Sequence, residues 1–177
     1  MGVFTSLKAA VQQSAIAFVS PARAPACASD NEPETIDWNI PGFLGRVRVG
    51  TAFGDLPIEA LRLRDEIRTS SGRLARVQWI DKLHLDDDFL SKHPSAQPIR
   101  IPANAFGTGR PMKDLTVSPR QEVSPDVHVA SGFKSAVDLC SRTRAHRVLT
   151  TGVTYYRFHC GEPVAVCVEG MWVRARP

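Results

Sequence analysis

Few side chains in this sequence are spaced for chemistry. It holds four cysteines (Cys27, Cys140, Cys160, Cys167) and five histidines, with no Cys-x-x-Cys pair. Cys140, His159, Cys160 and Cys167 lack the ligand spacing of a zinc site. Cys160 and Cys167 also fall in strand-like runs, where a thiol serves as a small apolar side chain. An even cysteine count allows disulfides, but nothing here calls for an oxidising compartment. His84 and His93 flank Asp86-Asp87-Asp88. Carboxylates and imidazoles can hold a cation, yet three adjacent acids in a polar stretch read as a solvated loop. No metal is expected. Arg142, Arg144 and Arg147 could touch phosphate, but no aromatic stacking platform accompanies them, so nucleic acid is not an expected partner. The sequence has no glycine-rich phosphate loop and no repeat of fixed period, and no cofactor is expected.

The elements that would position any site centre on residues 99–123. Two alternating pieces, Ile99–Ile101 and Leu115–Val117, flank a loop holding Gly107, Gly109 and Pro111. That pattern predicts two strands joined by an ordered, glycine-rich connection. Pro119 then ends ladder pairing. Earlier, residues 46–49 alternate as a half-buried strand, Gly54-Asp55 signals a hairpin turn, and residues 57–61 form one helical turn opened by Pro57. Strands are expected over 66–69 and 74–80, the second with Val77 and Trp79 on one face. Residues 81–98 read as polar loop. Strand-like residues 127–129 and a Ser131-Gly132 turn precede 133–140, which could be helix or strand. Residues 153–160 are rich in aromatic and branched side chains, Gly161-Glu162-Pro163 turns them, and 164–168 runs back to Glu169-Gly170. Turn signals at 54, 72, 107, 132, 152, 161 and 170 fit an all-β domain of short strands.

The bulk numbers suit one domain. Its 177 residues, 43% hydrophobic and 23% charged, can bury a real core. The net charge of +4 sits in residues 130–177, with seven basic residues against three acids, while the first 129 balance at 15 against 15. That excess reads as a solvated basic face. No apolar run approaches the eighteen or so residues of a membrane span. Residues 1–20 resemble a signal peptide only in part, because Gln12, Gln13 and Ser14 interrupt the apolar stretch. They read instead as an amphipathic helix, capped by Ser6, with Leu7, Val11, Ala15 and Phe18 on one side. A polar linker follows to residue 36, and the β domain is expected over 37–177. Cytoplasmic residence is the expectation, with secretion left open.

The stretch 99–123 resembles the middle of a bacterial Hint domain, the fold shared by Hedgehog C-terminal domains and inteins. It carries the run Ile-Arg-Ile, Ala-x-Ala-Phe-Gly-x-Gly-x-Pro, then Asp-Leu-x-Val-Ser-Pro. The block Pro57-Ile58-Glu59-Ala60-Leu61, the close of 74–80 on Val77-Gln78-Trp79-Ile80, and Val153-Thr154-Tyr155-Tyr156 with Glu169-Gly170 are similar in order and spacing. Leu63-Arg64-Asp65 stands where that family usually has Pro-Gly-Asp. The resemblance spans about residues 40–170. It implies an all-β Hint fold, a pseudo-twofold horseshoe of short β-hairpins.

Active members of that family begin with Cys, Ser or Thr, which attacks the carbonyl just upstream. A Ser/Thr-x-x-His element protonates the leaving amine, and a second nucleophile completes cleavage or ligation. Such chemistry needs a nucleophile, an acid and oxyanion donors. By the resemblance, the first position is Gly42, so the upstream bond is Pro41–Gly42. The second element reads Ser118-Pro119-Arg120-Gln121, with Gln in place of His. Arg157 and Pro163 stand where members often have His. Glycine has no nucleophile and Gln cycles no proton near neutral pH. Loss of a positioned acid–base group costs about 10²–10⁴-fold. The expectation is a Hint-type protein without self-cleaving activity, acting as a binding or structural module for an unidentified protein partner. The alternative is an active domain with a non-standard nucleophile, Cys27 or Thr51, helped by His128 or His159. Thr51 lies nine residues into the first hairpin, and a strand histidine is usually satisfied in place.

Overall fold

Runs this short persist only when paired with other strands, and the chain pairs both neighbouring runs, 164–168 with 171–175, and distant ones, 43–44 with 155–156. The computed structural model describes residues 37–126, 129 and 132–177. The expected N-terminal helix and linker, Cys27, His128 and most of the 127–129 run lie outside the described residues. Those described form fourteen strands: β1 (Phe43–Leu44), β2 (Arg48–Thr51), β3 (Gly54–Pro57), β4 (Glu66–Arg68), β5 (Leu74–Arg76), β6 (Trp79–Leu85), β7 (Ile99–Ile101), β8 (Leu115–Val117), β9 (Glu122–Val123), β10 (Lys134–Ser135), β11 (His146–Arg147), β12 (Val153–His159), β13 (Val164–Val168) and β14 (Met171–Ala175). Two short helices accompany them, α1 (Asp87–Lys92) and α2 (Ala136–Leu139). One sheet runs β11-β7-β8-β1-β12-β6. The other runs β10-β9-β14-β13-β2-β4-β5, with β3 on β2. Both halves of the chain give strands to both sheets.

β7 and β8 have the expected bounds and pair antiparallel, Ile99 with Val117 and Ile101 with Leu115. Their connection is ordered by its own side chains. Asn104 Oδ1 accepts from the Gly109 amide at 2.5 Å, and Asp114 Oδ1 accepts from the Ala103 amide at 2.8 Å. Asp114 also pairs with Arg100 across the ladder, which holds its carboxyl below the usual range. Met112 N–H donates to the Glu169 carbonyl at 2.8 Å, docking this loop on the β13–β14 hairpin.

Several expectations are corrected. The first hairpin turns at Ala52-Phe53, because Gly54 already pairs with Thr51. The expected strand 74–80 is broken. β5 lies in one sheet and β6 in the other, and Val77 and Gln78 cross between them by donating to Asp65 and His159 carbonyls at 3.0 and 2.9 Å. Val77 is therefore buried while Trp79 is exposed. Residues 81–98 are not all loop: β6 continues to Leu85, and Asp86 caps α1 by accepting from Phe89 N–H at 2.9 Å. The stretch 133–140 is both strand and helix, β10 leading into α2. β14 goes beyond the expected last strand.

Two clusters hold the sheets. The larger joins Phe43, Ile99, Val117 and Phe158 of one sheet to Val49, Ile67, Val166 and Val173 of the other. The smaller gathers Trp38, Leu85, Leu90, Ala96, Val153 and Tyr155. Full burial of an aliphatic side chain contributes roughly 1.5–3 kcal/mol, so about four such side chains are comparable to a small domain's whole margin of about 5–15 kcal/mol.

Candidate functional site

Gly42 immediately precedes β1, an inner strand between β8 and β12. Position in the ladder therefore decides its neighbours. Its carbonyl accepts from the Ser118 N–H at 2.8 Å. A Cβ placed at residue 42 would lie 3.0 Å from Tyr155 Cβ and 3.5 Å from Arg157 Cγ. The space a nucleophilic side chain would enter is thus narrowed by β12.

Ser118, fully buried, follows β8. Its hydroxyl donates to the Ile40 carbonyl at 2.5 Å and accepts from Trp38 Nε1 at 2.9 Å. The Trp38 ring packs against Phe89 and Tyr155, each at a centroid distance of 6.0 Å. Arg120 adds a second tie, donating to the Trp38 carbonyl at 3.1 Å and to both oxygens of Asp37 at 2.8 and 2.9 Å.

Gln121 is 2% exposed. Its Nε2 donates to the Arg174 carbonyl at 2.9 Å and to the Glu122 carbonyl at 3.3 Å. The turn that carries it closes with Gln121 N–H on the Ser118 carbonyl at 3.0 Å. Arg157, on β12, reaches Asp81 at 3.4 Å and lies over the Trp79 ring at 5.1 Å. Its Nε is buried with no hydrogen-bond acceptor. Gly42, Gln121, Arg157 and Arg174 line a void of about 20 Å³, which has room for about one water. The four expected positions, Gly42, Ser118, Gln121 and Arg157, are therefore gathered at one place. Pro163 is instead exposed in the β12–β13 turn.

A wider cleft of about 370 Å³ opens beside this void, lined by Asn39, Arg120, Glu122, Arg157, Arg174 and Arg176 among others. Glu122 pairs with Arg174 at 3.5 Å and, more tightly, with Arg176. Arg174 also lies 4.2 Å from the Phe133 ring centroid. Trp38 is expected from the sequence to begin the core, and it does; sequence reasoning missed its tie to Ser118, and missed Glu122, Arg174 and Arg176 as site residues. Trp38 is 80 residues from its partner Ser118, so no local spacing announces it. The arginines could have been found as the polar phase of the alternation Met171-Trp172-Val173-Arg174-Ala175-Arg176.

The other candidates are held elsewhere. Thr51 is buried, donates to the Gly54 carbonyl at 2.6 Å and accepts from Phe53 N–H at 3.2 Å. His159 Nδ1 accepts from Gly161 N–H at 3.1 Å, and its ring stacks on Trp79 at 5.2 Å. Arg147 spends its guanidinium on the carbonyls of Pro94, Ser95 and Gln97 at 2.9–3.0 Å. Burial pushes the Cys160 thiol up to about 11, with Glu162 adding to it. Cys140 and Cys167 are raised by burial as well. Among the described residues no group of three or more His, Cys, Asp or Glu converges on a metal position, and no helix is long and apolar enough to cross a membrane.

The family described as Hint domain matches residues 41–175. The structure is similar to a DnaB intein from Synechocystis sp. PCC 6803, at 10% identity and a TM-score of 0.49 over 78% of this chain and 100% of that one. It is similar to the MchDnaB-1 intein at 11% identity and 0.48, covering 76% and 99%. It is also similar to a bacterial intein-like domain from Clostridium thermocellum at 11% and 0.48, covering 76% and 98%. No curated protein matches the chain.

Proposed function

Because the chain belongs to the Hint domain family, related to self-splicing domains, we propose that it keeps that scaffold without the self-cleaving chemistry and serves as a binding or structural module. The observation that carries this reading is the setting of the Pro41–Gly42 bond. Scission there needs a nucleophile on residue 42 and a group that delivers a proton to the leaving nitrogen. Residue 42 offers no side chain, and Tyr155 Cβ would stand 3.0 Å from any Cβ added to it. Gln121 sits in the second element with its amide donated to two backbone carbonyls. A carboxamide neither gains nor loses a proton near neutral pH.

Ser118 does not replace the nucleophile in this reading, since its hydroxyl proton is already committed to the Ile40 carbonyl. What survives is the hydrogen-bonded frame around the bond: a Ser118 amide on the Gly42 carbonyl and a serine clamped by Trp38. The frame now orders the start of the domain.

The test is the mass of the intact chain, followed over a day with and without thiol or hydroxylamine. The expected outcome is a single full-length mass throughout. Fragments from scission between Pro41 and Gly42 would overturn the proposal. Fragments that vanish on Cys27→Ala, Thr51→Ala or His159→Ala would establish the non-standard nucleophile in its place.

A further inference from the structure

We propose that the cleft beside Gly42 is a binding site for a small oxyanion, a carboxylate- or phosphate-bearing ligand held by guanidinium groups. This deepens the reading of the chain as a binding module, since it gives a ligand chemistry to the place where scission would occur.

The argument starts from charge and donors. Arg120, Arg157, Arg174 and Arg176 face one cleft of about 370 Å³ with a single acidic side chain, Glu122, in the lining. Two further acids stand behind it: Asp37 holds Arg120 and Asp81 touches Arg157. Counting side-chain charges leaves 4 − 3 = +1 around the cleft, and 4 − 1 = +3 on its lining. The donors are less satisfied than that count suggests. Each guanidinium has five N–H donors in a fixed fork that matches a carboxylate or phosphate edge. Arg174 and Arg176 share the one Glu122 carboxylate. Arg157 makes one long hydrogen bond, at 3.4 Å, and its buried Nε has no acceptor among the described residues.

The volume agrees with a small ligand. Pockets for bound small molecules begin near 300 Å³, and this cleft exceeds that while the void behind it, at about 20 Å³, does not. An anion seated among the arginines would occupy the outer cleft and stop short of Gly42. Glu122 is its built-in competitor. A ligand oxygen must displace or share that carboxylate to reach Arg174 and Arg176, so the residue tunes affinity directly.

The experiment is calorimetric titration of the full-length chain at low salt with inorganic phosphate and, separately, citrate, against chloride at matched ionic strength. Binding of either anion above the chloride blank is the expected result. Phosphate alone would assign a phosphoryl ligand and citrate alone a carboxylate. The Arg174→Ala, Arg176→Ala double variant should bind at least about tenfold more weakly. Glu122→Gln, which frees both arginines, should bind more tightly by a factor of several. Arg62→Ala with Arg73→Ala, two exposed positions outside the cleft, should leave affinity as it is. Circular dichroism of each variant confirms that it is folded. Absence of heat with both anions, or affinity indifferent to the 174, 176 and 122 changes in folded protein, would overturn the proposal. Because the readout is binding and not chain mass, this proposal and the proposed loss of scission fail separately.

Discussion

At position 42 the absence of a side chain is itself a packing statement. Tyr155 is fully buried, and its hydroxyl is fixed on the Ala96 carbonyl at 2.8 Å, so it is poorly placed to retreat from a new neighbour. A methyl group at residue 42 would meet its Cβ at 3.0 Å. Inserting atoms into a filled site costs about 1–3 kcal/mol. Gly42→Ala should therefore lower the denaturation free energy by about that amount in urea titration. An unchanged midpoint would mean that β12 yields freely and that the space is open after all. The gathering of Gly42 and Arg157 with the Ser118–Gln121 turn is legible in sequence only through the family pattern, since the separations between these three places exceed any local rule. Trp38 and the two C-terminal arginines had no such guide. Trp38 reaches Ser118 from just ahead of β1, while Arg174 on β14 and Arg176 just after it come from the other sheet.

The elements show where alternation is informative and where it is blind. β7, β8, β12 and β13 were readable because turn residues bound them on both sides. The run 74–80 was misread because a period of two is the same in either sheet, and only the carbonyls awaiting Val77 and Gln78 decide where the chain crosses. The acidic triplet is solvent-exposed as expected, but it opens α1 and not a loop, because Asp86 performs a cap, a task that its neighbours in sequence disguise. The Glu169-Gly170 turn was marked correctly as an end, and β14 follows it directly. Both residues have positive φ, 47° and 76°, the backbone of a type I′ hairpin turn that matches strand twist. Gly170 can adopt this freely. An alanine there would carry the left-handed penalty of about 1–2 kcal/mol and set its Cβ 3.0 Å from the Gly109 carbonyl. Gly170→Ala should destabilise the chain by at least about 1 kcal/mol, measured by thermal denaturation, while Gly72→Ala, with open space around its Cβ, carries only the backbone term. Equal losses in the two variants would remove the contact from the account.

At the scale of the whole molecule, desolvation holds three thiols and one phenol in their neutral forms. Burial raises Cys140, Cys160 and Cys167, and raises the Tyr155 phenol against the pull of Arg147. Each holds its proton more firmly folded than unfolded, so the native state binds more protons in that window and stability falls as pH rises. For Cys160 the window runs from the ordinary thiol value of 9.0 to about 11. The thermal midpoint should be level below that window and decline through it, and Cys160→Ala should decline less steeply. A midpoint that ignores alkali, or a variant that tracks the parent, would contradict this.

Trp38, Ser118, Arg120 and Asp37 together form a mechanical anchor. Tension applied from the N-terminal side meets the indole N–H, the Ser118 hydroxyl and the Arg120 fork before it reaches any rung of a sheet. Withdrawing the Trp38 ring from the smaller core is then part of any forced unravelling that begins at this end.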